Sequence, residues 1–271
     1  MRVCNVVTIA GVDPSGGAGV LADVKAISAQ RAYACAVVTA LTAQNTQAVA
    51  AIHAVPPAFV REQIDVLFAD VAIDAAKIGM VGARAAVEAV AQGLERAAPR
   101  FVVLDPVMVA KSGDALLETD AVGALREALL PLATVITPNL PEAGVLLEER
   151  APESLREMRR AAERLRDRMR HAGRRWVLLK GGHLPAGDAI DLLTDGDKMI
   201  ELAAPRVPTK NTHGTGCTLS SALAALLPQA GDVAEAARRA KAYLTRALQG
   251  ADQLTVGHGH GPVHHFHAMW K

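Results

Sequence analysis

Residues 208–218 read PTKNTHGTGCT, a polar turn with two glycines that runs directly into the apolar helical pattern LSSALAALL. Small residues allow a ligand to approach closely, and the first turn of a helix presents N–H groups that have no helical acceptor. Together they make a cup for an anion, phosphate above all. Cys217 is placed as the last residue before the helical pattern takes hold, where a reacting hydroxyl and a transferred phosphoryl group would meet. The segment implies phosphoryl transfer to a small molecule. Gly214 and Gly216 would stabilise charge on the moving group. A helix N-terminus lowers a thiol pKa from about 8.5 toward neutrality, which would make Cys217 a base or hydrogen-bond partner for the acceptor hydroxyl. The plainer alternative is a small residue that shapes the pocket, because phosphoryl transfer needs little general-base help.

Further candidates stand just past apolar runs. Asp105 follows FVVL, and Asn139 and Glu142 lie in TPNLPEA. These oxygen groups suit Mg²⁺ with phosphate, held through waters; Glu142 could instead serve the first turn of the next helix. Lys180 ends WVLLK beside two glycines, and a cation there needs a partner, either a phosphate oxygen or a carboxylate. Lys111, in VAKSGDALL, reads as a loop cation that closes over substrate or as a solvated lysine. The loop Gly11–Gly19, GVDPSGGAG, lacks the spacing of GxGxxG, and nothing in the chain matches GxxxxGK[ST]. It is either a tight strand-to-helix turn with Asp13 helping to cap it, or a lid over a small substrate. On the second reading Asp23 in the following helix faces the pocket.

These residues need a scaffold, and the chain supplies a regular one. Strands are expected over Val3–Ala10, Ala34–Leu41, Ala72–Ile78, Phe101–Asp105, Thr134–Thr137 and Trp176–Lys180. Helical spacing fills Gly19–Ala29, Pro57–Ala69, Ala83–Ala97, Thr119–Leu130 and Leu155–Ala172. Most strands are almost continuously apolar, so both faces are buried, and the alternation predicts an α/β fold with a mostly parallel sheet between helices. Open sheets of this kind bind ligands beyond the carboxyl ends of their strands, where Asp13, Gln44, Gly79, Met80, Asp105, Asn139 and Lys180 collect. After Lys180, Ala189–Thr194 and Met199–Leu202 flank Asp195-Gly196-Asp197 as an edge hairpin, followed by helices Thr218–Leu227 and Val233–Gln249. With no linker and no repeat, residues 1–271 are expected to form a single domain.

Composition narrows the class. Aromatics are only 3% of 271 residues, so the core must be built from Ala, Val, Leu and Ile. Lys and Arg total 29 against 28 Asp and Glu, which argues for neither nucleic acid nor a membrane surface. Residues 155–175 hold nine arginines against three acids, read as a solvated helix face. Three scattered cysteines fit neither a disulfide scaffold nor a zinc site, and no signal-peptide pattern or membrane-length apolar run occurs. A cytoplasmic protein is expected. The tail VGHGHGPVHHFHAMWK carries five of the nine histidines without an accompanying Cys or acid, and is expected to pack at the pocket mouth or a subunit contact.

The segments TIAGVDPSGGAGVLAD, TALTAQNTQAV, AAKIGMVG, VLDPVMVAKSGDALL, TPNLPEA, LLKGGH, KNTHGTGCTLSSALAAL and GHGHGPVHHFHAMW are spread over nearly the whole chain. In combination they closely resemble the bacterial hydroxymethylpyrimidine and phosphomethylpyrimidine kinases of thiamine biosynthesis, in the ribokinase-like superfamily. The resemblance implies a homodimer that uses ATP and Mg²⁺. It implies two phosphorylations of 4-amino-5-hydroxymethyl-2-methylpyrimidine, first at the hydroxymethyl group and then on the monophosphate. It also implies that Gln44 bonds the aminopyrimidine edge, with Gly11, Asp23 and Val107 around the ring and Met80 packed against it. The metal and phosphate region falls on Asp105, Asn139, Glu142 and Lys180, and the glycine anion hole on Gly214, Thr215, Gly216 and Cys217. Ribokinase relatives usually carry an aspartate base where this branch has cysteine. Lys111 is the candidate for holding the acceptor phosphate. The nearest rival is a pyridoxal kinase; a non-catalytic pyrimidine-binding protein is the rival of another class, and a sugar or adenosine kinase fits least.

Overall fold

The computed structural model describes residues 2–110, 113–114, 116, 118–169, 175–184 and 187–270. Strands β1 (Asn5–Val12), β2 (Tyr33–Gln44), β3 (Val49–Ala54), β4 (Ala75–Ile78), β5 (Phe101–Leu104), β6 (Val135–Ile136), β7 (Trp176–Leu179), β8 (Ala189–Thr194) and β9 (Met199–Ala204) form one sheet in the order β3-β2-β1-β4-β5-β6-β7-β8-β9. The pairs from β2 through β7 are parallel, while β3, β8 and β9 join antiparallel to their neighbours at the two edges.

Two helical layers cover the sheet, and the twofold alternation of side chains along each strand feeds both. Val6, Ala75, Val103, Val135 and Leu178 point to a layer made by α1 (Gly19–Ala29), α7 (Thr215–Ala230) and α8 (Val233–Gln249). Their neighbours Val7, Ala76, Leu104, Ile136 and Val177 point to the opposite core, formed with α2 (Pro57–Asp70), α3 (Arg84–Ala97), α4 (Thr119–Ala124), α5 (Leu140–Leu147) and α6 (Leu155–Arg168). Apolar residues on both sides of every central strand are why those segments read as continuous hydrophobic runs.

Four elements differ from the sequence expectation. Edge strand β3 was not expected: its VAAIHA sequence is mostly exposed, so no buried face imprints an alternation. Its turn forms because Asn45 Oδ1 accepts the N–H groups of Gln47 and Ala48. Helix α5 (Leu140–Leu147) begins inside TPNLPEA, where the sequence offered a helix start only as the alternative to a metal role for Glu142. The expected helix 119–130 is α4 followed by a π-helical turn, Leu125–Leu129, and a 3₁₀ turn, Leu130–Leu132, into which Pro131 falls. Finally, α7 begins at Thr215 rather than Thr218, so Cys217 lies inside its first turn.

Candidate active site

The carboxyl ends of the parallel strands open into a cavity of about 850 Å³. A separate depression of about 510 Å³, lined by Gly123, Arg126, Glu127, Pro131, Asp167 and Arg168, carries none of the candidate catalytic or binding residues. The main cavity does. Its wall includes Gly11, Gln44, Met80, Val107, Asp105, Asn139, Glu142, Lys180, Gly214, Thr215, Gly216 and Cys217. Segments separated by most of the chain are thus brought to one space, as the recurrence of polar residues past strand ends implied.

Part of the cavity wall is charged. Asp105 sits one residue past β5 and is almost fully buried. Its Oδ1 accepts from Lys180 Nζ at 2.9 Å and from the Thr137 hydroxyl at 3.0 Å, and Ser220 Oγ donates to Oδ2 at 3.1 Å. Burial disfavours the Asp105 carboxylate, but Lys180, Lys77 and these hydrogen bonds outweigh it and hold its pKa below the ordinary value. Burial likewise works against the Lys180 ammonium, and Asp105 with Glu142 overrides it, keeping Lys180 charged. The backbone explains the proximity of Glu142. Lys180 N–H donates to the Pro138 carbonyl at 2.8 Å, a parallel bridge that sets Asn139 beside Lys180. Asn139 then caps α5: its side chain accepts the Glu142 N–H at 2.9 Å, and Glu142 Oε2 accepts the Asn139 N–H at 2.7 Å. The alternative helix-start reading of Glu142 is therefore realised, yet the same carboxylate lies 3.9 Å from Lys180 Nζ. Burial, reinforced by Asp105, pushes Glu142 up to about 7 against the opposing pull of Lys180 and the Asn139 N–H.

Helix α7 starts against this cluster. Gly216 is packed so that a Cβ there would stand 3.2 Å from Lys180 Nζ and 3.6 Å from Asp105 Oδ2. The first-turn N–H groups of α7 have no helical acceptors, and they belong to residues of the cavity wall. Cys217 departs from expectation. Instead of falling toward neutrality, its thiol is pushed up to about 11, because burial and the nearby Asp23 and Asp105 outweigh Lys77 and the Gly19 N–H.

Other residues of the wall are less polar. Met80 is nearly buried, with its sulfur close to Gly11, where a Cβ would stand 3.2 Å away. Gln44 Oε1 accepts from Thr42 Oγ1 at 3.1 Å, and Val107 N–H donates to the Asp105 carbonyl at 2.8 Å. Asp23 corrects the sequence reading: it does not face the cavity. It is fully buried and accepts from Lys77 Nζ (2.8 Å), Thr8 Oγ1 (2.6 Å) and Ser221 Oγ (2.7 Å), because only such a set makes a buried carboxylate tolerable. Lys111 lies outside the described residues.

Three contributors were missed in the sequence. Lys77 carried a usable signal, a lone cation inside the apolar strand AAKI. His213 was read only as part of a glycine turn, yet its Nε2 lies 2.7 Å from Asp13 Oδ2 on the cavity wall. Ser220 lay hidden in an apolar helix. The histidine-rich tail packs beside the site: His213 N–H donates to the Gly261 carbonyl, and His265 Nε2 lies 3.0 Å from Thr218 Oγ1. Among the described residues no group of three His, Cys, Asp or Glu could hold a metal ion by itself.

Comparison with known proteins agrees with this geometry. The sequence model of the phosphomethylpyrimidine kinase family matches residues 13–264. The hydroxymethylpyrimidine/phosphomethylpyrimidine kinase of Escherichia coli (strain K12) is 51% identical over 270 residues, covering 100% of both chains. Among solved structures, phosphomethylpyrimidine kinase from Clostridium difficile 630 superposes with a TM-score of 0.79 at 36% identity, over 90% of this chain and 99% of that one. An ADP complex of Bacillus subtilis pyridoxal kinase gives 0.90 at 31% identity, over 100% of both chains. A family match spanning most of the chain, on a fold that assembles the expected residues in one cavity, means that this protein belongs to the phosphomethylpyrimidine kinase family.

Proposed function

We propose that the protein transfers the terminal phosphoryl group of ATP to the hydroxymethyl group of hydroxymethylpyrimidine, then to the resulting monophosphate, supplying the diphosphate for thiamine synthesis. The observation that carries this reading is a single cavity wall that joins Lys180, Asp105 and the start of α7 to Gln44, Met80 and Val107. Gln44 would bond the aminopyrimidine edge while Met80, Val107 and Gly11 pack around the ring. Lys180 and the N–H groups of Gly214–Cys217 would receive negative charge on the moving phosphoryl group, fixed in advance and sheltered from bulk water. Cys217, protonated at neutral pH, would bound the acceptor hydroxyl rather than act as its base.

The residues present fit Mg²⁺, though not as an all-protein cage. Asp105 and Glu142 share the cavity wall beside Lys180, and a cation would favour the Glu142 carboxylate against the burial that raises its pKa to about 7. Mg²⁺ commonly takes one or two carboxylates and completes its shell with water and phosphate oxygens. Asp105 and Glu142 would hold it through such waters, with Asn139 and Thr215 near the nucleotide phosphates. Bound there, the ion would neutralise charge on the phosphate oxygens.

The reading extends to a single domain acting as a cytoplasmic homodimer. Its supports are three unpaired cysteines and the apolar side chains Leu41 and Ile52 exposed on the β2–β3 edge. Pyridoxal is the second acceptor to consider, favoured by the likeness to the Bacillus subtilis pyridoxal kinase. Product analysis with ATP, Mg²⁺ and either acceptor tests both. Stepwise conversion of the pyrimidine to its diphosphate is the expected result; phosphorylation of pyridoxal alone would replace it with the second reading. No product from either would leave a binding protein.

A further inference from the structure

Asp13 and His213 are 200 positions apart in the sequence, and both side chains are nearly excluded from solvent at their 2.7 Å contact. Each belongs to a glycine-bearing loop on the cavity wall, and neither has a part in the reaction described above. Asp13 organises the first loop. Its carboxylate accepts the Ser15 N–H (2.8 Å), the Ser15 hydroxyl (2.9 Å) and the Ala18 N–H (3.0 Å), so residues 13–18 fold around one group. Lys25, whose Nζ donates to the Gly16 carbonyl at 2.9 Å, braces the same loop from α1.

His213 is the counterpart on the second loop. The next residue, Gly214, caps the N-terminus of α7 in the left-handed conformation, with φ 75°. No side chain caps this helix start; locally it is held by a long backbone bond, Thr215 N–H to the Thr212 carbonyl at 3.4 Å. The two loops instead touch backbone to backbone. A Cβ on Gly214 would stand 1.7 Å from the Gly17 carbonyl oxygen, and one on Gly17 would stand 2.2 Å from His213 Cδ2. The Asp13–His213 bond is the polar clasp across that contact. On its far side, the His213 N–H donates to the Gly261 carbonyl at 3.0 Å, anchoring the loop to the tail.

We infer that His213, held by Asp13, is a positioning residue for phosphoryl transfer: it aims the N–H groups of Gly214–Cys217 and couples the Asp13 loop to the anion cup. The inference rests on the kinase reading above. The imidazole touches no reacting atom; it acts through the helix start. Misplacing such donors by about 1 Å costs roughly 100-fold in rate. Ground-state binding of the acceptor by Gln44 and Met80, neither of which His213 or Asp13 bonds, is left alone.

The test compares wild type, His213→Ala, His213→Gln and Asp13→Asn with ATP, Mg²⁺ and hydroxymethylpyrimidine. In His213→Ala, kcat is expected to fall about 10- to 100-fold, with KM for the pyrimidine changed by less than about threefold. His213→Gln retains an N–H that can reach Asp13 and recovers most of the loss. Affinity for ADP with aluminium fluoride, a mimic of the transferring group, falls by the same factor as kcat while ADP alone binds as before. An unchanged kcat, a rise in KM alone, or an equal loss of ADP affinity overturns the inference. If His213→Ala does not fold, the near-isosteric Asp13→Asn carries the test: the same split supports the clasp and wild-type kinetics sink it. Wild-type turnover is measured first. Its absence with every acceptor overturns the kinase reading and this inference with it, whereas normal wild-type turnover with unaffected variants overturns the clasp alone.

Discussion

Lys77 Nζ donates to Asp23 Oδ2 at 2.8 Å where neither side chain has any exposure to solvent. The pair ties β4 to α1, and through Ser221 and Thr8 it also reaches α7 and β1. Desolvation works against the Lys77 ammonium, and Asp23, with Cys217 and Asp105 behind it, overrides that cost and raises its pKa. Removing one partner strands the other. Lys77→Met is expected to lose about 3–5 kcal/mol of stability in urea unfolding at neutral pH. Adding Asp23→Asn to it should restore part of that loss, since no charge is then left unpaired. A double variant less stable than the single one would refute the pairing argument.

Gly216 offers the opposite separation, activity without stability. It is the second helical residue of α7, its backbone is compatible with a side chain, and a Cβ would enter the space before Lys180 and Asp105. Alanine in a helix is favoured over glycine by about 0.5–1 kcal/mol, which offsets the crowding of its Cβ against Lys180 Nζ at 3.2 Å, so Gly216→Ala should still fold and melt near the wild-type temperature. Its kcat should nevertheless drop by at least about tenfold, because the methyl group occupies the place where phosphoryl oxygens would meet Lys180. Calorimetry and initial rates on the same sample check both halves. Full activity in a normally folded Gly216→Ala protein would place the transferred group elsewhere.

The parts of this site that were legible in the sequence are those fixed by the parallel sheet. Asp105, Asn139 and Lys180 follow apolar strands, and a parallel strand delivers the residue after it to the same edge of the sheet wherever it occurs in the chain. What stayed hidden depends on contacts between distant segments. Nothing near Asp23 says that Lys77, 54 positions away, will take it out of the cavity. Nothing near Cys217 says that burial, with Asp23 and Asp105 brought from distant segments, will raise its thiol pKa. Edge strand β3 was missed because it buries almost nothing, and helix α5 was legible only as the alternative reading of Glu142, since a short helix leaves little periodic pattern beyond its capping box.

Cys217 is a case where magnitudes decide between roles. With its thiol at about 11, the thiolate is a small minority at neutral pH. A general base contributes about 10²–10⁴ in rate when it is used. Cys217→Ser, which removes any such base, is therefore expected to keep kcat within about tenfold of wild type, because phosphoryl transfer leans on positioning and charge. The same raised pKa should protect the thiol from iodoacetamide until well above pH 9, read by peptide mapping against Cys4 and Cys35. A loss of a thousandfold or more in Cys217→Ser would restore the base.

His265 gives the site an acid limit. It is buried against Thr218 in the first turn of α7, its carbonyl accepts the Tyr243 hydroxyl at 2.8 Å, and burial pushes its pKa down to about 3. Lys25 and the neighbouring His264 and His267 act in the same direction. The unfolded chain binds a proton near pH 6.5, which the native state refuses until about pH 3. A depressed histidine pKa therefore leaves stability unaffected above pH 6.5 and removes it progressively as pH falls through that window. The loss is about 2 kcal/mol at pH 5, from 1.36 kcal/mol for each unit below 6.5. Urea midpoints measured at pH 7 and pH 5 should show this drop in the wild type and a smaller one in His265→Leu, whatever the variant's stability at neutral pH. Because Thr218 follows the Gly214–Cys217 turn, the kinase should also lose activity on acidification together with this contact. An equal drop in both proteins would remove His265 from the acid response.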